Sequence, residues 1–207
     1  MTGARERKAI MGLENTRNKK LLYHLTKLDN MASIVQYGLL PRAQVRSMGL
    51  EYHDVADSGI ISKREELGLD GFVPFHFHPY TAFDRAVKNS YPDDKFVYIT
   101  IKRDLAALAN FKILTKHPLS LEECILYDYN EGFNKIDWDT LERVGADDAY
   151  SRNVKMAECL SDQAIAPSLI QCVYVSDEWA KEYVEQLFWD QGITEQPPYV
   201  SVMEVFF

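Results

Sequence analysis

Glu158 is the residue of this chain with the clearest potential for chemistry. It lies in the stretch Asn153-Val-Lys-Met-Ala-Glu-Cys-Leu160, after an irregular acidic segment and before the apolar run 164–170. Protein scaffolds often carry their working groups at such loop-to-strand junctions. The alternative is a solvent-facing carboxylate on an edge strand, since glutamate is mostly exposed.

His76 and His78 are the next candidates, because they alternate with aromatic residues in Phe72-Val-Pro-Phe-His-Phe-His-Pro79. The period of two predicts a strand that carries both imidazoles on one face. A metal site could use this pair, but zinc needs three or four protein ligands, and no cysteine or further histidine lies nearby in sequence. We therefore expect no metal.

Three further side chains have two open interpretations each. His24, near the end of a predicted strand, is either a core histidine or a ligand contact. Lys63 and Arg64 lie on a short predicted helix and are either surface charges or contacts to a bound molecule. The neighbouring residues in the sequence do not distinguish between the two interpretations of each side chain.

The elements that must position these residues form one mixed α/β domain over residues 21–207. Alternating and β-branched segments predict strands at 21–25, 72–79, 95–101, 111–114, 123–127, 170–175 and 199–207. Capping residues and apolar periodicity predict helices at 31–37, 60–67, 80–90, 103–110 and 176–191. Gly38 ends the first of these helices, and the rest of 42–70 is predicted to be loop. One apolar stripe of the last helix is assigned to the core and comprises Trp179, Ala180, Tyr183, Val184, Leu187 and Phe188.

Composition limits the class of protein. A chain of 207 residues with 46% hydrophobic content can bury a sizeable core as one domain. It has no apolar run near the roughly 18 residues that a membrane span needs, and its N-terminus lacks the apolar segment of a secretory signal. Three cysteines without metal-ligand spacing are typical of reduced thiols in a cytoplasmic protein.

Charge is unevenly distributed along this acidic chain, whose net charge is -8. Residues 1–20 hold six basic and two acidic residues, and we interpret them as a basic arm that can contact a phosphate backbone or remain solvated. Residues 128–148 hold seven acidic and two basic residues. The segment 128–152 is predicted to be a long functional or mobile loop, with Trp138 and Tyr150 as candidates for stacking on a ligand.

Four motifs, taken in order, resemble the DarT family of toxins, which use NAD to ADP-ribosylate bases of single-stranded DNA. They are Tyr23-His-Leu-Thr26 with the capped helix and Gly38-Leu-Leu40, then Ile61-Ser-Lys-Arg64, then Val73-Pro-Phe-His-Phe-His-Pro79, and Lys155-Met-Ala-Glu158. The resemblance covers about residues 21–175. It implies a split, largely antiparallel sheet with flanking helices, as in ADP-ribosyltransferases, and NAD in the cleft between the sheet halves.

The resemblance also implies roles for individual residues. Glu158 takes the place of the catalytic glutamate, and Arg64 that of the catalytic arginine at the modified base. The segment 134–155 becomes the substrate-recognition loop. The implied NAD contacts are Tyr23, His24, Thr26, Gly38, Leu39 and His76, and the implied DNA contacts are Lys63, Arg152 and Lys155.

Two departures from the family pattern bear on specificity. His76 stands where the family commonly has the tyrosine of Val-Pro-Phe-Tyr-Phe, and Tyr80-Thr-Ala-Phe83 stands where it has Arg-Ser-Pro-Met. The acceptor base, thymidine or guanosine, stays open. So do two other functions, an inactive transferase-fold module that binds nucleic acid or a protein, and a transferase that acts on RNA or protein.

The implied chemistry explains the residue types. Cleavage of the nicotinamide–ribose bond develops oxocarbenium character in the sugar, which a carboxylate stabilises. Nicotinamide leaves as a neutral molecule, whereas the accepting ring nitrogen must lose a proton. A guanidinium is a poor base, so Arg64 would polarise the base carbonyl while Glu158 or water takes the proton. The expected partners are single-stranded DNA and an antitoxin with an ADP-ribosylglycohydrolase macrodomain, and no membrane.

Overall fold

The computed structural model describes residues 13–120, 124–144 and 148–207, and within these ranges the chain forms a mixed α/β domain. The strands are β1 (Leu21–Lys27), β2 (Val73–His76), β3 (Phe96–Lys102), β4 (Lys112–Leu114), β5 (Glu158–Ser161), β6 (Cys172–Val175) and β7 (Tyr199–Val202). The helices are α1 (Met31–Tyr37), α2 (Arg42–Ser47), α3 (Ser58–Glu66), α4 (Ala82–Ser90), α5 (Arg103–Leu108), α6 (Tyr129–Lys135), α7 (Trp138–Glu142), α8 (Ala149–Val154) and α9 (Glu178–Asp190).

The strands of the described residues join in one sheet of order β4-β5-β2-β1-β3-β6-β7. All neighbours are antiparallel except β6 and β7. Strand β1 pairs with β3 along its whole length, from Leu21 opposite Lys102 to Lys27 opposite Phe96, but it meets β2 only where Tyr23 lies opposite His76. The sheet therefore splits between β1 and β2, which confirms the predicted fold class.

Apolar side chains form buried clusters on both faces of the sheet. The larger cluster covers one face and contains Leu22, Phe75, Phe77 and Ile99, each fully buried. The smaller cluster forms around Tyr23 and Tyr98.

Several predicted elements were placed correctly. Helix α1 has the predicted bounds and ends at Gly38, whose φ is 89°. Helix α4 begins after Thr81, whose hydroxyl caps it, and helix α9 begins after Asp177. The strand signals at 21–25, 95–101 and 170–175 correspond to β1, β3 and β6.

Other predictions were wrong. The segment 128–152 is not one long loop, because α6, α7 and α8 occupy most of it, with Asp137 and Asp148 as caps. Helix α2 was also missed within 42–70. The strand predicted at 72–79 stops at His76, and Tyr127 makes only an isolated bridge to Ile113, while residue 123 lies outside the described residues.

Two tryptophans occupy environments other than those predicted. Trp138 is 6% exposed and packs edge-on against Phe77, so it is a core residue and not a platform for a ligand. Trp179 is 59% exposed and stacks on Tyr183 at the surface, so the predicted apolar stripe of α9 is narrower than expected. The buried part of that stripe is Ala180, Val184 and Phe188.

The described part of the predicted basic arm lies against the domain. Thr16 is fully buried, and its carbonyl oxygen accepts a hydrogen bond of 2.9 Å from Nη1 of Arg103. The backbone N–H of Arg17 donates to Glu142 at 2.7 Å. Residues 1–12 of the arm lie outside the described residues. Within the three described ranges, no helix is long and apolar enough to cross a bilayer.

Candidate active site

A deep cleft opens where β1 and β2 diverge. With the open solvent at its mouth included, the space within it is about 1170 Å³. Seven of the predicted site residues line it, namely His24, Thr26, Gly38, Leu39, Arg64, His76 and Glu158. The split in the sheet thus collects residues that are up to 134 positions apart in the sequence, from 24 to 158.

Glu158 is the first residue of β5 and is buried, with 4% of its surface exposed. It lies opposite His76 of β2 in the antiparallel register. The interpretation of Glu158 as a solvent-facing edge carboxylate is therefore wrong. Strand β5 is an inner strand between β2 and β4, so its first residue is held at the cleft by pairing on both sides.

Arg64 reaches Glu158 from helix α3. Its Nη1 donates to both carboxylate oxygens, at 2.9 Å to Oε1 and 3.0 Å to Oε2. The side chains of this ion pair are only 8% and 5% exposed. Nη2 of Arg64 is also buried and has no hydrogen-bond partner among the described residues. A buried N–H without a partner costs free energy, so this atom is a candidate donor to a bound molecule.

Helix α3 is fixed in the orientation that places Arg64 in the cleft. Asp57 caps it by accepting a hydrogen bond of 2.9 Å from the N–H of Ile60. Arg46 of α2 then pairs with Glu65 and, at 2.8 Å, with Asp70, both of which follow Arg64 in the sequence. These contacts tie α2 to α3.

His24 and Thr26 face the cleft, whereas Tyr23 does not line it. Nδ1 of His24 donates to the carbonyl oxygen of Pro74 at 2.8 Å, which leaves Nε2 as an acceptor. Burial lowers the pKa of His24 to about 4, so the ring is neutral near pH 7. Tyr23 packs on the other side of β1 against Tyr98 and Tyr174, because adjacent residues of a strand alternate.

His76 is the last residue of β2 and His78 lies beyond it, so the strand does not carry both imidazoles as predicted. His76 lines the cleft, and its Nδ1 lies 3.2 Å from the carbonyl oxygen of Ala157. His78 is 3% exposed, and its Nε2 lies 2.8 Å from the carbonyl oxygen of Lys155. In the described part of the chain, no cluster of three potential ligands could hold a metal ion.

Gly38 and Leu39 form the rim at the end of α1. Leu39 exchanges backbone hydrogen bonds of 2.9 Å with Ile165 in an isolated bridge. A Cβ atom on Gly38 would lie 2.8 Å from the carbonyl oxygen of Ile165. The positive φ and this close approach both require glycine here.

Sequence reasoning missed the segment that closes one side of the cleft. Arg42 of α2 makes a two-pronged ion pair with Asp54, at 2.6 and 3.0 Å, and also bonds to the hydroxyl of Tyr52 at 3.2 Å. Asn30 exchanges two hydrogen bonds with the backbone of His53, at 2.8 and 3.0 Å. The polar composition of residues 48–57 indicated a loop but carried no signal for these long-range pairs.

Two more missed residues that line the cleft are His117 and Asp84. Burial lowers the pKa of His117, and the nearby Glu158 carboxylate opposes that shift. Asp84 belongs to the first turn of α4 and is 1% exposed. Neither residue stands in a motif, so no signal in the sequence distinguishes them from other polar residues.

The predicted DNA-contacting residues lie outside this cleft. Lys63 is half exposed on α3 and pairs with Glu66 at 2.9 Å. Arg152 is an exposed residue near the end of α8, and Lys155 follows that helix, three residues before Glu158. The three cations therefore occupy surface next to the elements that carry Arg64 and Glu158.

Comparisons with known proteins agree with this geometry. A family model described as "ssDNA thymidine ADP-ribosyltransferase, DarT" matches residues 23–207. A DNA ADP-ribosyl transferase–DNA ADP-ribosyl glycohydrolase fusion protein of Thermosipho africanus (strain H17ap60334) is 26% identical over 166 residues, which cover 75% of this chain. The match spans only 42% of the length of that curated relative.

Solved structures share the fold. The DarT of Thermus sp. 2.9 in complex with ADP-ribosylated ssDNA has a TM-score of 0.78 at 21% identity, and the match covers 91% of this chain and 96% of that one. The same protein in complex with NAD+ has a TM-score of 0.74 at 19% identity, with 92% and 98% covered. Because the family model matches nearly the whole described chain, this chain belongs to the DarT family.

Proposed function

We propose that this chain is an NAD-dependent mono-ADP-ribosyltransferase that modifies a base in single-stranded DNA, with thymidine as the expected acceptor. The observation that carries the proposal is the buried Arg64–Glu158 pair in a cleft lined by His24 and His76. Membership of the DarT family and the ligands of the Thermus structures, NAD+ and ADP-ribosylated ssDNA, support it.

The reaction exchanges one bond at C1′ of the nicotinamide ribose for another. The bond to the nicotinamide nitrogen breaks, and nicotinamide leaves with both electrons as a neutral molecule. A ring nitrogen of the base then bonds to C1′ and loses its proton to Glu158 or to water. The developing positive charge of the sugar is offset by the Glu158 carboxylate, which still has lone pairs for a ribose hydroxyl.

Arg64 is proposed to contact the acceptor base. Its Nη1 is engaged by Glu158, whereas Nη2 is buried without a partner among the described residues. A guanidinium N–H can polarise the base carbonyl and stabilise negative charge on the ring as the proton leaves. His24, Thr26, Gly38, Leu39 and His76 are proposed to hold NAD, and Tyr23 is proposed to support His24 from the core.

DNA is proposed to approach across the surface that carries Lys63, Arg152 and Lys155. A single strand is the cheaper substrate because its bases are already unstacked. Contacts between cations and phosphates make such binding weaken as salt is raised. Within this proposal the chain is a cytoplasmic toxin, and its partner is an antitoxin macrodomain with ADP-ribosylglycohydrolase activity. The name of the fusion relative, which includes a DNA ADP-ribosyl glycohydrolase, supports such a partner.

The test is label transfer from NAD to single-stranded oligonucleotides. Four oligonucleotides, each lacking one base, are incubated with labelled NAD and wild-type chain, Glu158→Ala, or the matched surface control Glu182→Ala. We expect transfer that is lost without thymidine and lost with Glu158→Ala, but kept with Glu182→Ala. Dependence on guanosine would change the acceptor, and NAD binding without transfer to any DNA would refute the DNA assignment and direct the search to RNA or protein.

A further inference from the structure

Asp84 is a buried carboxylate with one oxygen committed to the fold and the other not. Its Oδ2 accepts hydrogen bonds from the backbone N–H of Thr81 at 2.8 Å and from the hydroxyl of Tyr98 at 2.9 Å. Its Oδ1 is buried and has no hydrogen-bond partner among the described residues. Since Asp84 lines the cleft, that oxygen is available to a donor on a bound molecule.

The position of Asp84 is at the reacting end of the cleft. Tyr98, which donates to Asp84, lies opposite Leu25 in the pairing of β3 with β1, and Leu25 directly follows His24. His24, His76 and Asp84 line the same cleft. His76 in turn lies opposite Glu158 in the sheet. Asp84 is thereby placed near the part of the cleft where the bond to nicotinamide would break.

We propose that Oδ1 of Asp84 accepts a hydrogen bond from the carboxamide N–H of the nicotinamide of NAD. This inference rests on the proposed function. Near the reacting carbon, NAD offers two kinds of donor, the ribose hydroxyls and the carboxamide. Glu158 is assigned to the hydroxyls, which leaves the carboxamide for Asp84.

Charge and shape agree with this assignment. The pyridinium ring of NAD is positively charged before cleavage, so a carboxylate beside it complements the bound substrate. Phe83 precedes Asp84 and also lines the cleft, where it offers an apolar surface to the ring. Asp84 is thus a residue that selects the nicotinamide group, whereas Glu158 acts on the sugar.

The substitution Asp84→Asn separates this role from the structural one. The donors at Thr81 and Tyr98 require an acceptor at the Oδ2 position, so the amide oxygen of asparagine takes that place. The amide NH₂ then occupies the position of Oδ1, the oxygen without a partner among the described residues. The fold keeps its hydrogen bonds, while the acceptor for the carboxamide becomes a donor.

The experiment compares dissociation constants, without DNA, for NAD, for its 3-acetylpyridine analogue, which has a methyl group in place of the carboxamide NH₂, and for ADP-ribose, which lacks the ring. We expect the wild-type chain to prefer NAD over the analogue by about tenfold or more, as for a hydrogen bond to a charged group. Asp84→Asn should bring this ratio near one and leave ADP-ribose affinity unchanged. The control Thr81→Ala, which removes the other half of the cap, should lower the melting temperature but keep the wild-type ratio.

Three results would overturn the inference. One is an unchanged ratio in Asp84→Asn, and another is an equal loss of affinity for NAD and ADP-ribose. The third, measured in a parallel transfer assay with DNA, is a change confined to the KM for DNA, which would assign Asp84 to the acceptor base instead. If the wild-type chain bound none of the three nucleotides, the proposed NAD-dependent function itself would fail, and that result is distinct from the other three.

Discussion

Separating the Arg64–Glu158 pair should destabilise the fold as well as abolish activity. At 2.9 Å the attraction between the two groups is about 6 kcal/mol for an effective dielectric constant of about 20. Removing one partner leaves the other charge buried and unpaired, which typically costs about 3–5 kcal/mol. That is a large part of the roughly 5–15 kcal/mol that stabilises a folded domain.

The comparison uses Arg64→Met, Glu158→Leu and the double variant. Each single variant should lose about 3–5 kcal/mol, whereas the double variant should recover most of the loss because apolar groups of similar volume replace a buried ion pair at little cost. All three should fail to transfer ADP-ribose. The assay is urea unfolding followed by circular dichroism, beside label transfer from NAD to DNA.

The exposed pair Lys63–Glu66, on the same helix as Arg64, provides the control. Lys63→Ala should change stability by less than about 1 kcal/mol. If the two single losses at positions 64 and 158 simply added in the double variant, the pair would not be coupled in the folded chain. The reasoning that makes these two residues one unit would then be refuted.

Three other predictions concern pH, the rim of the cleft and its closing segment. Burial lowers the pKa of His24 and His78 to about 4, so below about pH 6.5 the unfolded chain binds more protons than the folded chain. The urea midpoint should therefore fall as the pH drops from 6.5 to 4. A urea midpoint that does not change over this range would contradict the prediction. In thermal unfolding, Gly68→Ala should lower the free energy of unfolding by about 1–2 kcal/mol for the positive φ alone, since a Cβ there would contact nothing. Gly38→Ala should lower it by about 1–3 kcal/mol more, because its Cβ would clash with Ile165. Asp54→Asn should speed proteolysis of residues 48–57 about tenfold, since a charged hydrogen bond is lost. Equal cleavage rates in the variant and the wild-type chain would show that the Arg42–Asp54 ion pair does not hold this segment in place.

Local sequence signals were sufficient for the elements whose boundaries depend on their own residues. Gly38 ends α1 because the chain needs a positive φ there, and Thr81 starts α4 by capping it. Both effects act within a few residues, so the sequence displays them directly. The prediction of one long loop over the acidic segment 128–152 was wrong because its helices depend on contacts with distant residues. Its short helices are stabilised by packing, as the edge-on contact of Trp138 with Phe77 indicates, and short helices have little stability of their own.

The site could be predicted residue by residue only where a motif named the residue. His24, Arg64, His76 and Glu158 stand in such motifs, and the structure gathers them in one cleft. Asp84 stands in none. The proposed role of Asp84 depends on which of its carboxylate oxygens accepts from Tyr98 and which has no partner among the described residues. Packing between α4 and β3 determines this, and no local pattern in the sequence shows it.

The guanidinium of Arg64 takes part in both halves of the proposed reaction, the cleavage of NAD and the transfer to the base. Nη1 binds both oxygens of Glu158 and fixes the carboxylate beside the sugar. Nη2 is rigidly linked to Nη1 through the planar guanidinium and is buried without a partner in the described chain. In the proposed reaction, one side chain thus sets the distance between the carboxylate that stabilises the cationic sugar and the N–H that contacts the base. A lysine ammonium is a single point charge and would contact either Glu158 or the base, so we propose that the planar fork of arginine couples cleavage of NAD to transfer.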